Sequence, residues 1–181
     1  WVRAGDQVFT SGSLSEVLAG LIKRFQAADS RASHWGEQRP VQPEPLLPLS
    51  GEGDQPTASA NVYPRLQRFL RPTDLLMSDT GTSLLKLNAM RLPDGVAIET
   101  QTLWGSIGWA TPAALGCALA DAERRVVLVT GDGAHQLTVQ EVAVMGFTGA
   151  KPVVIVLNNG LYGVEALLSE TGHAYNDLPP W

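Results

Sequence analysis

The stretches VVLVTGDG (residues 126–133) and VVIVLNNG (residues 153–160) decide the fold. Each begins with a short apolar run rich in β-branched residues, which is typical of a strand buried on both faces of a parallel sheet. Polar residues and glycine follow each run, with Asp132 after the first and Asn159 after the second. Ligands bind at the carboxyl ends of the strands in open parallel sheets. The two stretches therefore predict an α/β sheet with a binding site where Asp132 and Asn159 meet.

The residue types at these two strand ends suit a metal and a phosphate group. A carboxylate and a side-chain amide offer hard oxygen ligands, which Mg²⁺ prefers, and protein-bound Mg²⁺ usually takes ligand phosphates as well. Gly131 and Gly133 allow backbone N–H groups to approach such phosphates closely. A Gly-Asp-Gly turn alone is a weak signal, because Asp-Gly turns are common. Its combination with the later asparagine pair carries the prediction.

Composition and charge exclude several functional classes. The chain has 181 residues, 44% of them hydrophobic, which allows a sizeable core. A net charge of −5 without a basic patch argues against a nucleic-acid or membrane-surface partner. No apolar run approaches the roughly 20 residues that a membrane span needs. The single cysteine, Cys117, excludes a disulfide framework, is expected to be a small buried hydrophobe, and fits a cytoplasmic location.

Three segments of different character divide the chain. Residues 1–30 resemble the tail of a preceding domain, with a short strand at 7–10 and an amphipathic helix that Ser13 and Glu16 would cap. Residues 31–60 are rich in proline and predict a linker, which Trp35 and the Leu46-Leu47 pair would pin to a surface. Residues 61–181 alternate between strand and helix patterns and predict a doubly wound α/β domain. Trp1 and Trp181 at the two ends suggest a fragment of a longer chain.

Local patterns within residues 61–181 predict individual elements. Thr111, followed by Pro112, is expected to cap a helix at its first position. The helical periodicity beyond Gln136 spreads apolar residues around the helix, so we expect that helix to be well covered. The predicted helices are 63–70, 84–90, 111–122 and 136–147, and the predicted strands are 75–77, 96–99, 126–130 and 153–158. Asp74, Asp79 and Asp94 are interpreted as turn residues, and the histidines form no metal-binding pattern.

Three further motifs accompany the two strand ends, namely SDTGTS (78–83), LWGSIG (103–108) and YNDLPPW (175–181). Together with GDGAHQLTVQE (131–141) and Asn158-Asn159, they resemble the signature of enzymes that depend on thiamine diphosphate (ThDP) and Mg²⁺. The resemblance is best to the group of pyruvate, indolepyruvate and branched-chain 2-oxo acid decarboxylases. It covers residues 61–181 and implies the diphosphate-binding fold of those enzymes.

The resemblance implies a role for each matching residue. Mg²⁺ would be bound by the Asp132 carboxylate, the Asn159 side-chain carbonyl and the backbone carbonyl of Leu161. The remaining cofactor-binding positions are expected to contact the diphosphate, line the site or hold the two rings, with an apolar wedge at Ile107; they are Thr82, Gly105, Ser106, Ile107, Gly133, Ala134, Tyr162 and Gly163. Glu165 matches the family's catalytic glutamate and is expected to transfer protons during decarboxylation and aldehyde release.

The sequence also departs from the family pattern. Leu161 stands where the family has a glycine, so its backbone ligand role requires a φ that a non-glycine residue can adopt. Gly163 replaces a threonine, and Ser169 stands near a position that is often histidine. Nothing in the chain resembles the pyrimidine-binding domain, which in this family acts across a subunit interface. We therefore expect that domain as a partner, on the same or another chain, in a homodimer or homotetramer.

The resemblance implies non-oxidative decarboxylation of a 2-oxo acid to an aldehyde and CO₂, with the particular acid left open. A second ThDP enzyme type, an acetolactate synthase or carboligase, shares the GDG and asparagine motifs but is not expected to carry Glu165 or the Tyr175-Asn176-Asp177 motif. A non-catalytic fragment or subunit of ThDP fold is a further alternative. A plain dinucleotide-binding domain is disfavoured because no G-x-G-x-x-G follows a strand.

Overall fold

The computed structural model describes residues 2–4, 7–9, 14–27, 46, 57–169 and 172–180. Two units are distinguished by their internal contacts, Trp1–Gln42 and Pro43–Trp181. In the first unit, strands β1 (Val2–Ala4) and β2 (Gln7–Phe9) pair antiparallel and precede helix α1 (Leu14–Ala27). The prediction of β2 and α1 is confirmed, whereas β1 was not predicted. The Ser13 cap, Trp35, Leu47 and most of the predicted linker lie outside the described residues.

The second unit is built on a four-stranded parallel sheet with the order β4-β3-β5-β6. Its strands are β3 (Leu75–Ser78), β4 (Ala97–Thr100), β5 (Val126–Gly131) and β6 (Val153–Leu157). Residues 75–78 and 126–130 are buried, as predicted. The prediction of full burial is wrong for β6, which is half-buried because it lies at one end of the strand order. This arrangement confirms the predicted α/β fold.

Helices cover both faces of this sheet. They are α2 (Ser59–Phe69), α3 (Thr82–Ala89), α4 (Ala110–Ala120), α5 (Asp132–Gln136), α6 (Glu141–Thr148) and α7 (Gly163–Leu168). A 3-10 turn follows at Ala174–Asn176. Side chains from α2 and α3 pack with Leu76 and Val127 on one face, whereas α4 packs with Met77 and Leu128 on the other. Successive strand residues thus point alternately into two hydrophobic cores, one on each face of the sheet. The presence of helices on both faces confirms the doubly wound arrangement.

The prediction of one continuous helix over residues 136–147 is wrong. The chain forms the short helix α5, turns at 137–140, and begins α6 at Glu141. The hydroxyl of Thr138 donates a hydrogen bond to the Gly108 carbonyl at 2.9 Å within this turn. A contact with a distant loop therefore overrides the local helical preference, which sequence periodicity does not register.

Helix α6 is also less covered than its composition suggests. Met145 is buried, but Val142, Val144 and Phe147 are exposed, the last with 93% of its surface accessible. The expectation of a well-covered helix is therefore not met within this chain. Helix α2 begins four residues before its predicted start at Tyr63, because it continues through Pro64 rather than starting near it.

Thr111 does not cap α4, contrary to the prediction. The helix begins at Ala110, so Pro112 is its third residue, and no side chain of the preceding Trp109 forms a cap. Instead, the Ala110 N–H donates to a carboxylate oxygen of Asp79 at 3.1 Å. The acceptor comes from the end of β3, 31 residues earlier, so a local capping rule assigns it to the wrong residue.

An ion pair joins the amino ends of β3 and β5. Arg125 donates from Nη2 to Asp74 Oδ2 at 2.6 Å and from Nε to Oδ1 at 2.9 Å, and the Asp74 side chain is fully buried. Burial alone would raise the pKa of Asp74. The hydrogen bonds from Arg125 and the Arg71 N–H outweigh that effect and lower the pKa below its ordinary value. Asp74 is thus a buried ion-pair partner, beyond the turn role predicted for it.

Candidate functional site

A cleft of about 810 Å³ opens at the carboxyl ends of β3, β5 and β6. This volume lies in the range of small-molecule sites. All but one of the predicted site residues line it; these are Thr82, Gly105, Ile107, Asp132, Gly133, Ala134, Asn159, Leu161, Tyr162, Gly163 and Glu165. Ser106 is not among the lining residues. No role was predicted for Thr80, which lies in the SDTGTS motif, or for Tyr63 and Lys86, yet all three also line the cleft.

Three oxygen atoms converge at the centre of this cleft. The Asn159 amide oxygen faces the Leu161 carbonyl oxygen and Asp132 Oδ1, each about 3.0 Å away. Rotating the amide by 180° would replace both contacts with hydrogen bonds donated by the amide nitrogen. Acceptors that face each other without a proton between them repel, so the two contacts of the Asn159 oxygen require either that rotation or a cation.

The spacing of these oxygens fits a small divalent cation. Adjacent ligands of an octahedral ion with bonds of about 2.1 Å lie about 3.0 Å apart, which is the geometry that Mg²⁺ demands. Among the described residues, no cluster of three or more His, Cys, Asp and Glu side chains could hold a metal. One carboxylate, one amide and one backbone carbonyl form a set that suits a hard ion sharing its coordination with ligand phosphates and water.

The local backbone conformation explains why a leucine is tolerated at position 161, where the family has a glycine. Gly160 takes the left-handed conformation, with φ of +70°, whereas no non-glycine residue in the described ranges has a positive φ. Leu161 therefore presents its carbonyl oxygen without backbone strain. The left-handed turn that a glycine permits lies one position earlier than the substitution.

The loop that carries Asn159 and Leu161 is held from two sides. Its Gly160 N–H donates to Asp132 Oδ2 at 2.7 Å, which leaves Oδ1 for the cleft. On the other side, Leu178 N–H donates to the Gly160 carbonyl at 2.9 Å, and Tyr162 N–H donates to the Asn176 carbonyl at 2.8 Å. The YNDL segment thus clamps the loop through its backbone. The motif was visible in the sequence, but its backbone role was not.

Close packing explains the second glycine of the Gly-Asp-Gly turn. A Cβ atom on Gly133 would lie 2.5 Å from Tyr162 Cε1 and 3.0 Å from a Leu178 methyl group. Gly133 and Ala134 occupy the first turn of α5, where backbone N–H groups lack helical acceptors. These groups are available to an anionic ligand in the cleft.

A glycine-rich segment contributes Gly105 and Ile107 to the cleft lining, and residues 105–108 are here termed the ring loop. Gly105 and Gly108 both have left-handed backbones, with φ of +65° and +79°. A Cβ on Gly108 would lie 3.0 Å from Leu137 Cβ, so the loop packs closely against the turn that follows α5. Ile107 reaches the cleft and is 38% exposed. Trp104 is 80% exposed in this chain, so it does not anchor the loop.

Glu165 lies in the first turn of α7 and lines the cleft with an exposed side chain. The Gly163 before it approaches Asn159 closely, because a Cβ there would lie 3.3 Å from the asparagine Nδ2. Gly163 therefore packs against the amide group of the Asn159 side chain.

His135 is a buried residue, a position that the sequence left open between core and surface. Its side chain is 3% exposed, and its Nδ1 lies 2.9 Å from the Thr111 hydroxyl. Burial lowers its pKa, and the negative charge of Asp79 offsets part of that change. Cys117 is only partly buried, packed against the core formed with α4, and is free.

Comparison with known proteins assigns the family. Residues 79–178 match the C-terminal TPP-binding domain of thiamine pyrophosphate enzymes. The chain belongs to this family. Thiamine pyrophosphate is another name for ThDP, so the family shown agrees with the resemblance predicted from the motifs. The matched range contains the ring loop, all three converging oxygens and Glu165.

Several curated relatives of this TPP-binding domain bear the name alpha-keto-acid decarboxylase. The protein of Mycobacterium ulcerans (strain Agy99) is 42% identical over 97% of this chain and 30% of its own length. That of Mycobacterium tuberculosis (strain ATCC 25618 / H37Rv) is 42% identical over 97% of the chain and 31% of its length. That of Mycolicibacterium paratuberculosis is 42% identical over 78% and 25%. The chain thus spans about 30% of the length of these relatives.

None of the helices in the described ranges is long and apolar enough to cross a membrane.

Proposed function

We propose that this domain binds ThDP through Mg²⁺ and forms part of a 2-oxo acid decarboxylase, which yields an aldehyde and CO₂. The observation that carries the proposal is the convergence of the Asp132, Asn159 and Leu161 oxygens inside a cleft of a TPP-binding fold. The names of the relatives support the reaction class.

The three oxygens would bind Mg²⁺ on one side, while the remaining coordination positions go to diphosphate oxygens and water. The Gly160 N–H fixes the orientation of the Asp132 carboxylate through Oδ2. An oriented carboxylate loses less freedom when the ion binds. The N–H groups of Gly133 and Ala134 would then donate to the diphosphate.

The ring loop would hold the other end of the cofactor. The Gly105 carbonyl is proposed to accept a hydrogen bond from the aminopyrimidine, with Ile107 wedged between the two rings. Thr82, Tyr162 and Gly163 line the cleft and would lie between the rings and the metal. When bound, ThDP supplies the electron sink that decarboxylation needs. The protein contributes orientation of the rings and exclusion of water.

Glu165 is proposed to hold and deliver a proton at the reacting end of the cleft. Its position at the rim supports this role, because its carboxyl group is accessible to a substrate while α7 fixes its backbone. General acid-base catalysis by a positioned carboxyl group contributes about 10²–10⁴ to the rate of such reactions.

A pyrimidine-binding domain is proposed as the partner, in a homodimer or homotetramer. Leu103 and Trp104 beside the ring loop are 84% and 80% exposed, which supports a covering surface at that edge of the cleft. We also propose that the chain is divided into the tail of a preceding domain (1–30), a linker (31–60) and the diphosphate-binding domain (61–181). A cytoplasmic location stays a prediction that rests on the single cysteine.

The test is an assay of the natural full-length protein with ThDP, Mg²⁺ and a series of 2-oxo acids. The proposal expects CO₂ and the corresponding aldehyde, in amounts that match each other. Acetolactate formation from pyruvate without free aldehyde would instead identify a synthase or carboligase. Binding of ThDP without turnover of any acid would indicate a non-catalytic subunit.

A further inference from the structure

One buried acidic side chain has no place among the cofactor contacts above. Asp79 follows β3 directly, and none of its surface is exposed. Its Oδ2 accepts a hydrogen bond from the Thr130 hydroxyl at 2.8 Å, and its Oδ1 accepts one from the Ala110 N–H at 3.1 Å. Burying an acidic group costs several kcal/mol unless it is well hydrogen-bonded. The sequence interpretation of Asp79 as a turn residue is therefore incomplete.

Neither donor lines the cleft, but each lies close in sequence to a part of the chain that does. These two parts, Gly131 to Ala134 and Gly105 with Ile107, are here called the two walls. Thr130 lies in β5, two residues before Asp132. Ala110 is the first residue of α4, two residues after the ring loop ends at Gly108. Through these short covalent links, the Asp79 carboxylate joins the strand that carries the metal-binding residue to the helix that carries the ring loop.

The two walls depend on Asp79 to different degrees. The converging oxygens have supports of their own, namely the Gly160 N–H on Asp132 and the backbone clamp from Asn176 and Leu178. The ring loop is tied to the rest of the site by Asp79 at Ala110 and by the Thr138 hydroxyl at the Gly108 carbonyl. Loss of the Asp79 bond would therefore move the ring loop more than the metal-binding oxygens.

We propose that Asp79 is a positioning residue that holds the ring loop at a fixed distance from the metal-binding oxygens. The inference rests on the proposed ThDP function, because it assigns the two walls to the two ends of that cofactor. Asp79 acts through Ala110 and Thr130 and does not itself contact the ligand. Its effect is on the rings of ThDP and not on the diphosphate.

Two ligands separate these ends experimentally, ThDP and inorganic pyrophosphate. Calorimetric titration of the natural full-length protein with each ligand, in the presence of Mg²⁺, gives their dissociation constants. The Asp79→Asn variant keeps the side-chain volume but has only one acceptor oxygen, so at most one of the two donors, Ala110 N–H and the Thr130 hydroxyl, can still donate to residue 79. We expect its ThDP affinity and kcat to fall about tenfold to a hundredfold, because small displacements of a reacting group have effects of that order. Pyrophosphate affinity should stay unchanged.

Substitutions at Thr130 provide a second route that leaves Asp79 in place. Thr130→Val removes the donor at nearly constant volume and should reproduce the selective loss of ThDP affinity. Thr130→Ser keeps the hydroxyl and should restore it. Asp94→Asn, at an exposed aspartate in a turn, is the matched control and should change neither ligand. Thermal unfolding of each variant verifies the fold, and Thr130→Val decides the question if Asp79→Asn does not fold.

Equal weakening of both ligands in Asp79→Asn or Thr130→Val would overturn the proposal, since it would indicate a general structural role. Unchanged affinity for both would overturn it as well. In either case, tight Mg²⁺-dependent binding by the unmodified protein would leave the proposed function standing. Failure of the unmodified protein to bind either ligand would remove both the proposed function and this inference.

Discussion

At the scale of single residues, the proposed metal site consists of three oxygens. Two belong to the side chains of Asp132 and Asn159, and the third is the backbone carbonyl oxygen of Leu161. Asp132 and Asn159 were predicted from the sequence because each follows a strand-forming apolar run. The Leu161 carbonyl was predicted only through family resemblance, since a backbone ligand leaves no signature in side-chain type. The left-handed conformation of Gly160 allows Leu161 to present this carbonyl with an ordinary backbone conformation.

The Asp132→Ala variant tests the metal ligand. Removing the carboxylate takes away the charged member of the oxygen set and the acceptor for the Gly160 N–H. We expect ThDP affinity in Mg²⁺ to fall by more than about 100-fold, since even supporting residues of metal sites contribute 10–100-fold. Calorimetric titration with and without Mg²⁺ measures the effect. An affinity that still rises with Mg²⁺ to the same extent would contradict the assignment.

The Glu165→Gln variant tests the proton-transfer role. The amide keeps the shape of the side chain but cannot hold or release the proton, so kcat should fall about 10²–10⁴-fold while ThDP binding is kept. Steady-state kinetics and a cofactor titration provide the two readouts. Glu123→Gln, in an exposed turn, serves as the control and should leave kcat unchanged. Full turnover by Glu165→Gln would exclude the residue from the mechanism.

At the scale of elements, strands were predicted better than helix ends. All four strands of the sheet begin and end within one residue of their predicted limits. Three of them contain a short apolar run, whereas β4 (AIET) was predicted after the Pro93-Asp94-Gly95 turn. The helix predicted over 136–147 is interrupted by the Thr138 contact with Gly108, and the α4 cap comes from Asp79. Both errors arise from long-range contacts, which local rules do not contain.

The Gly133→Ala variant tests how closely the Gly-Asp-Gly segment packs against the loop after β6. The added Cβ would lie 2.5 Å from the Tyr162 ring, so one of the two elements must shift. Overpacking of this kind costs about 1–3 kcal/mol. We expect weaker binding of Mg²⁺-pyrophosphate, measured by calorimetry.

The double variant Gly133→Ala with Tyr162→Ala is the matched comparison for that test. Removing the ring relieves the contact, so pyrophosphate affinity should recover towards the value of Tyr162→Ala alone. Additive losses in the double variant would show that the two residues act independently, contrary to the packing described here.

At the scale of the whole molecule, the sequence was sufficient for the doubly wound fold and for the cleft at the strand ends. It was not sufficient for the buried polar links beneath that cleft. Asp74 and Asp79 were both interpreted as turn residues, yet both are fully buried. Sequence patterns did not reveal this because their partners, Arg125 and Thr130, each lie 51 residues further along the chain. Pairings at such separations are fixed by the fold and not by local composition.

The Asp74→Asn variant tests the contribution of the Arg125 ion pair to stability. Breaking a buried pair on one side costs about 3–5 kcal/mol, and the partial exposure of Arg125 favours the lower end of that range. Chemical denaturation should therefore show a loss of about 3 kcal/mol in the free energy of unfolding. Asp94→Asn, on the surface, should change the free energy of unfolding by less than about 0.5 kcal/mol.

The ion pair also predicts a pH dependence. Because the folded pKa of Asp74 is lowered, its contribution to the free energy of unfolding is present above the unfolded pKa of 3.8 and is lost as the pH falls through the folded pKa.

Burial of His135 predicts a second pH dependence of the free energy of unfolding, closer to neutral pH than that of Asp74. Burial lowers its folded pKa below the model-compound value of 6.5, so the unfolded chain binds the proton more readily. The free energy of unfolding should therefore decrease as the pH falls from 6.5 towards the folded pKa. Urea denaturation at several pH values between 5 and 8 measures this slope. The slope should be smaller in His135→Gln, and an unchanged slope in that variant would assign it to other groups.

The central claim is that one divalent ion joins Asp132, Asn159 and Leu161 and anchors a diphosphate. Anomalous diffraction from crystals of the full-length protein grown with Mn²⁺ and ThDP tests it most directly. The account predicts an anomalous peak within about 2.2 Å of Asp132 Oδ1, the Asn159 amide oxygen and the Leu161 carbonyl oxygen, with diphosphate density beside it. A cofactor bound in the cleft with no peak between these oxygens, or with the ion held elsewhere, would contradict the account.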